Sequence, residues 1–301
     1  MSLYTQVDSN NRKTWLYLFG FLILIIGLGW LISYLMQSQF ILWLAVALSI
    51  GLSFFSYWFS DKIVLRIARA KLIEKKDNPE LYRLVENLCI TAGLPLPKVY
   101  LIQEAQPNAF ATGRDPKHGV IAVTTGLLEQ LDRAELEGVI AHELAHIGNK
   151  DILLSTMVVV MVGVVVIITD FFFRMAFWGG GGGGGDRGEG QTRLIMIAIA
   201  LVLAILAPLL AQMMKMAISR KREFLADATG VLLTRHPDGL ARALEKISRN
   251  VTPLKTANDA TSHLFIVSPF KGKESKSWIH RLFMTHPPIE ERITKLRGVN
   301  K

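Results

Sequence analysis

Two stretches of this 301-residue chain carry no charged side chain for long enough to cross a bilayer. Residues 15–36 (WLYLFGFLILIIGLGWLISYLM) and 40–60 (FILWLAVALSIGLSFFSYWFS) each reach the roughly 20 apolar residues that a membrane-spanning helix requires. With only a short break between them they read as a transmembrane hairpin. The first run is longer than the apolar stretch of a signal peptide, and no small-x-small cleavage site follows it, so it reads as an uncleaved anchor. Trp15, Tyr17, Tyr34 and Trp58 stand where aromatic side chains line the membrane–water interfaces.

Residues 152–173 and 194–214 form two further apolar runs, bringing the expected number of spans to four. Asp170 near the end of the third and Pro208 inside the fourth leave open a kink, or helices buried in a soluble core or lying in the interface. Between these runs, residues 177–192 contain an unbroken Gly179–Gly185 tract followed by Asp186, Arg187, Gly188, Glu189 and Gly190, the composition of a flexible linker. The ordered spacing of a phosphate-binding loop is absent.

The net charge of +9 (34 Lys+Arg against 25 Asp+Glu) suits nucleic acid, an anionic membrane or basic flanks of membrane spans, and position decides among them. Arg12 and Lys13 precede the first run. Lys62, Arg66, Arg69, Lys71, Lys75 and Lys76 follow the second, and Lys215, Arg220, Lys221 and Arg222 follow the fourth, whereas the glycine-rich loop has only Arg187. Short cytoplasmic loops are enriched in Lys and Arg. Both termini and both polar regions are therefore expected in the cytoplasm and loop 177–192 in the periplasm, with no need for nucleic acid as a partner.

The expected organisation is a cytoplasmic tail (1–14), a first membrane hairpin (15–60), one part of a soluble domain (61–151), a second hairpin (152–214) and the rest of that domain (215–301). The fold class is an α-helical integral membrane protein with four transmembrane helices and a mainly α (α+β) cytoplasmic domain. Asn78 and Pro79 can open a helix whose Leu81, Leu84, Val85 and Leu88 share one face. Residues 98–102, 109–113 and 119–124 are short, β-branched or aromatic and bounded by Pro and Gly, which predicts a small sheet. Asp132 with Glu135 is a capping-box signal for a helix running to about Gly148.

That helix carries His142-Glu143-Leu144-Ala145-His146. Histidines four residues apart project from one helical face, so both imidazoles can bind one Zn²⁺ while Glu143 reaches a water on the metal. Cys89 is the sole cysteine, which rules out a Cys-based zinc site or an intrachain disulfide and leaves His and carboxylates as ligands. A catalytic zinc takes a third protein ligand. The metzincin pattern would place His where Ile152 stands, so that class is excluded. SRKREFLADATG offers Glu223 and Asp227 instead, one turn apart on a separate helix. Such a pair repels unless a cation or proton donor intervenes; zinc on Glu223, with Asp227 accepting a ligand histidine's free N–H, resolves the conflict. The segment before the motif contains Glu129, Asp132, Arg133, Glu135 and Glu137, so the site is aqueous, yet both ligand groups adjoin membrane runs. The metal is expected near the cytoplasmic membrane surface.

Taken together, the membrane hairpins, PNAFATG, VIAHELAHIGNKD, SRKREFLADATG and THPPIEERI resemble the M48 family of gluzincin metalloproteases, in particular its HtpX-type heat-shock membrane proteases. The resemblance covers nearly the whole chain. It implies a zincin-like catalytic domain and a bacterial inner-membrane zinc endopeptidase that degrades misfolded or damaged membrane proteins under stress. It implies further that His142, His146 and Glu223 bind the zinc, Glu143 acts as general base and then acid, and Asp227 orients a ligand. His286 of THPP would donate to the transition-state oxyanion, and Asn108, Ala109 and Phe110 would hold the substrate backbone. A substrate strand added near Asn108 to Thr112 would be bound mainly through its backbone, giving weak sequence preference. The alternatives are a prenyl-protein endoprotease of the Ste24 type, which would need more spans, and a membrane adaptor or pseudoenzyme with a structural metal.

Overall fold

The structure is a computed structural model that describes residues 3–35, 37–157, 220–250, 265–266 and 287–298, with single positions between 160 and 202. Among the described residues it is mostly helical with one small sheet. Loop 177–192, most of the third and fourth apolar runs, and His286 lie outside the described residues.

Helices α1 (Leu3–Leu35) and α2 (Gln39–Ile67) form the first hairpin. Their segments Arg12–Tyr34 and Gln39–Ile67 are long and apolar enough to cross a membrane. The helices approach so closely that a Cβ on Gly29 would collide with the Ala45 side chain, and Ser49 Oγ donates across the interface to Leu22 O at 3.2 Å. Small residues that let backbones approach, with a polar group bonded across, are characteristic of helix pairs in lipid. Trp15, Phe19, Ile23, Trp30, Trp43, Leu48 and Phe54 remain exposed. Such a continuous apolar surface requires a cover, which lipid supplies.

Both helices overrun the apolar runs that define them. α1 starts within the tail because no Gly or Pro interrupts residues 3–14. α2 continues to Ile67, where Val64 and Leu65 join Ile102, Phe110, Val120, Ala122 and Phe265 in a buried cluster. The hairpin is thereby docked on the soluble domain by its own last turns. On its other side, Tyr17, Leu18, Phe21 and Ile25 of α1 pack with Leu153, Leu154, Met157, Met161 and Ile199, so these positions of the third and fourth runs lie against the first hairpin.

The sheet contains β1 (Lys71–Leu72), β2 (Lys98–Ile102), β3 (Ala109–Thr112) and β4 (Val120–Thr124) in the order β1-β2-β4-β3. β2 and β4 are parallel and the outer pairs antiparallel. Three strands fall where short β-branched or aromatic runs bounded by Gly and Pro place them. β1 is too short and exposed to leave a periodic signal.

Helix α3 (Pro79–Ala92) is capped by Asn78 Oδ1, which accepts the Leu81 N–H at 3.0 Å, and it buries Leu81, Leu84, Val85 and Leu88. A one-and-a-half-turn helix, α4 (Thr125–Gln130), follows β4. Helix α5 (Arg133–Gly148) opens with the reciprocal Asp132–Glu135 capping box. It is enclosed by α3, by β3 and β4, and by α6 (Arg220–Thr234) and α7 (Pro237–Arg249). That is why Val139, Ile140, Ala141, Leu144, Ala145 and Ile147 are all buried. Enclosure explains the weak amphipathic pattern of α5, since a helix covered on most sides needs no polar stripe. Gly230 lets α6 approach: a Cβ there would lie 3.2 Å from the His142 backbone nitrogen. The last described element is α8 (Ile289–Gly298).

Candidate active site

The close crossing of α5 and α6 determines what faces what. His142 and His146 lie one turn apart on α5 and point the same way, with their Nε2 atoms 3.1 Å apart. Glu223, in the first turn of α6, brings Oε2 to 3.8 Å from His142 Nε2 and Oε1 to 3.7 Å from His146 Nε2. Candidate ligand atoms of the three residues all lie within 4.8 Å of one another. Tetrahedral zinc with bonds of roughly 2.0–2.1 Å to N and O spaces its ligand atoms by about 3.3 Å. The donor set therefore fits a metal of that size and preference. His142 and Glu223 are buried, while the His146 side chain keeps 16% of its surface exposed, the side from which water can approach.

Asp227 lies one turn beyond Glu223 and sets its Oδ1 3.0 Å from His142 Nδ1. A hydrogen bond there keeps the His142 proton on Nδ1 and turns the Nε2 lone pair toward the other ligands. His146 is held comparably, with Nδ1 at 3.1 and 3.2 Å from the Asp151 carboxylate oxygens. Burial pulls the His146 ring down, but Asp151, Glu223 and Glu143 together hold it up at about 10 in the metal-free chain. Metal binding must accordingly displace a proton from this ring.

Glu143 is buried between the two histidines in sequence and on the flank of the cluster. Burial pushes its carboxyl up to about 7, with His146 and Arg292 opposing and Glu223 adding to the rise. It also accepts the backbone N–H of Ala111 on β3. A carboxyl that titrates near neutrality is poised both to take and to return a proton.

Arg292, like Asp151, carries no functional signal of its own in the sequence. Wholly buried, it donates to Asp227 through Nε (2.9 Å to Oδ2) and Nη2 (2.6 Å to Oδ1), and Nη1 lies 3.7 Å from Glu223 Oε2. Its planar fork thus neutralises two carboxylates that would otherwise repel. Among the charges of IEERITKLR it looks solvated. The signal that distinguishes it is helical spacing, which puts Arg292 on the face of α8 that buries Leu296.

The remaining expected site residues fare differently. Asn108 is buried at the start of outer strand β3; its N–H donates to Thr124 Oγ1 and its Oδ1 accepts the Ala109 N–H. The Ala109 carbonyl accepts the Ile266 N–H at 3.1 Å, so part of the expected substrate edge is paired with the chain's own segment. The Phe110 ring packs edge-on against Phe265, centroids 5.2 Å apart, in the cluster under α2. The β3–β4 register turns the Phe110 backbone toward Ala122 of β4, so the outward-facing backbone of this edge belongs to Ala109 and Ala111. His286 lies outside the described residues, but Arg292, six positions on in the same segment, reaches the centre.

Residues 75–300 match the profile of peptidase family M48. The chain belongs to this family. Protease HtpX homologs are similar to this M48 peptidase over nearly its full length: that of Dictyoglomus thermophilum is 44% identical over 98% of this chain and 94% of its own. That of Tropheryma whipplei (strain TW08/27) is 42% identical over 98% of both chains, and that of Pyrococcus furiosus 45% identical over 92% and 91%. The crystal structure of S. mikatae Ste24p superimposes with a TM-score of 0.50 at 16% identity, covering 97% of this chain and 67% of that one; it shows the fold alone. This M48 peptidase is a membrane metalloprotease, and its cluster of His142, His146 and Glu223 can hold the metal.

Proposed function

We propose that this M48 peptidase is a zinc-dependent endopeptidase of the bacterial inner membrane. In this reading it cleaves misfolded or damaged membrane proteins with its active site, like both termini, on the cytoplasmic side. The observation that carries the reading is the convergence of two imidazoles and a glutamate on one point beside Glu143, buried and titrating at about 7. The site sits where the third apolar run leaves α5 and where α6 begins after the fourth. Four spans and the cytoplasmic side follow from the apolar runs and the placement of Lys and Arg.

His142, His146 and Glu223 would hold the zinc, which when bound supplies Lewis acidity and brings the pKa of a water close to 7. Glu143 takes that water's proton during attack on the scissile carbonyl and returns it to the leaving amine. Asp227 orients His142, Arg292 holds Asp227 in place, and His286 donates to the developing oxyanion. Substrate adds as a strand along the edge of β3, where Ala109 beside Asn108 turns its backbone outward, and displaces Ile266 from the Ala109 carbonyl. Main-chain pairing of this kind gives broad rather than sequence-specific cleavage.

The test is the purified chain in detergent, incubated with an unfolded membrane protein and, separately, with a prenylated peptide. Cleavage of the unfolded protein is expected, abolished by a zinc chelator and restored by zinc. Proteolysis indifferent to chelation, or confined to the prenylated peptide, would contradict the reading.

A further inference from the structure

His142 has its orienting carboxylate in Asp227. The other ligand, His146, has one from a different part of the chain. Helix α5 ends at Gly148, Lys150 adopts a left-handed conformation with φ 55°, and Asp151 N–H bonds back to His146 O at 3.3 Å. A lysine in this region is unfavourable relative to ordinary backbone, and its effect here is to fold Asp151 back beneath the last turn of α5. The carboxylate, 3% exposed, then meets His146 Nδ1 with both oxygens, at 3.1 and 3.2 Å. The buried guanidinium of Arg222, next to Glu223 on α6, interacts electrostatically with Asp151 and with Glu223.

We propose that Asp151 is a positioning residue for the metal site: it fixes the His146 ring through Nδ1 so that Nε2 faces His142 and Glu223. The inference rests on the zinc-peptidase reading above. With the Nδ1–H of His146 held by Asp151 and that of His142 by Asp227, each ring turns Nε2 toward the shared centre, where it is a lone-pair donor once the second His146 proton has left. The two Nε2 atoms lie 3.1 Å apart, close to the spacing of two ligand atoms on one tetrahedral zinc. Asp151 thus presets the orientation of one ligand ring for the metal. Its backbone carbonyl also accepts the Ser155 N–H at 3.1 Å, opening the helix that leads into the third apolar run. The same residue therefore anchors a ligand and stands at the start of the helical turns that follow at 152–157.

The experiment compares the full-length chain with Asp151→Ala and Asp151→Asn in detergent, measuring the zinc dissociation constant by chelator competition and the thermal unfolding midpoint of the metal-free form. Loss of a carboxylate that orients a ligand histidine costs about 10–100-fold in metal affinity, so Asp151→Ala is expected to bind zinc at least tenfold more weakly. Asp151→Asn keeps an oxygen that can accept from Nδ1–H and is expected to fall between the two; the metal-free midpoint of Asp151→Ala falls because Arg222 and His146 lose a buried carboxylate, so affinities are compared well below all three midpoints. Asp151→Ala binding zinc within twofold of the parent would overturn the proposal; if that variant does not fold, Asp151→Asn with parental affinity would overturn it. A parent chain that binds no zinc would sink the zinc-peptidase reading and this inference together, whereas tight and equal binding by parent and variants sinks this inference alone.

Discussion

Glu143→Gln is expected to lose proteolysis by about 10³-fold while keeping its zinc, because a positioned general base contributes on the order of 10²–10⁴-fold and Glu143 serves twice in one turnover. The substitution preserves size and hydrogen-bonding capacity, so the Ala111 N–H that Glu143 accepts retains its partner and the packing of α5 is undisturbed. The loss should appear equally in kcat and kcat/KM, as for an interaction made only in the transition state. Kinetics on an unfolded substrate, beside metal analysis of the same preparation, provide the check. Near-parental turnover with zinc bound would remove Glu143 from the chemistry.

Arg292→Met is expected to be the most destabilising single change at the site. Met roughly fills the volume but leaves Asp227 and Glu223, both buried, without the guanidinium that bonds one and faces the other. Breaking a buried pair by removing one partner costs about 3–5 kcal/mol. The acid side of the stability profile should change as well. Burial alone would raise the Asp227 carboxyl, but Arg292 and His142 hold it down at about 2, below its unfolded value of about 3.9. A depressed acid contributes stability that is fully present above the unfolded value and disappears as pH falls through the folded one. The parent should therefore lose this contribution between about pH 4 and pH 2. In Arg292→Met burial is opposed by His142 alone, so the folded carboxyl moves up toward its unfolded value and this acid-side loss shrinks. Thermal unfolding in detergent from pH 3 to pH 8 tests both points, and unchanged midpoints would show that Arg292 does not hold the site together.

Much of this arrangement was legible in the sequence wherever one residue's local chemistry fixes the structure. Asn78-Pro79 and Asp132/Glu135 mark helix starts because caps act within one turn. The strands at 98–102 and 120–124 are recognisable because branched side chains end at Pro or Gly. The histidine pair is legible because i,i+4 spacing alone puts two rings on one face. What escaped depends on contacts distant in sequence. Arg292 looks solvated until α8 is docked under Asp227, 65 positions away. Phe110 sits in a motif expected to meet substrate, yet its ring is claimed by Phe265. Asp151 carries no signal of its own, since only the left-handed Lys150 brings it back to His146. The overrun of α2 to Ile67 is invisible to hydropathy, which sees where apolar residues stop rather than where the backbone can continue helical.

The central claim is that one zinc is held jointly by α5 and α6, and zinc content measures it most directly. The purified chain is expected to contain about one zinc per polypeptide, and His142→Ala, His146→Ala and Glu223→Ala each to contain little while the capped helices around them remain folded. A full complement of zinc in Glu223→Ala, or none in the parent chain, would contradict the account.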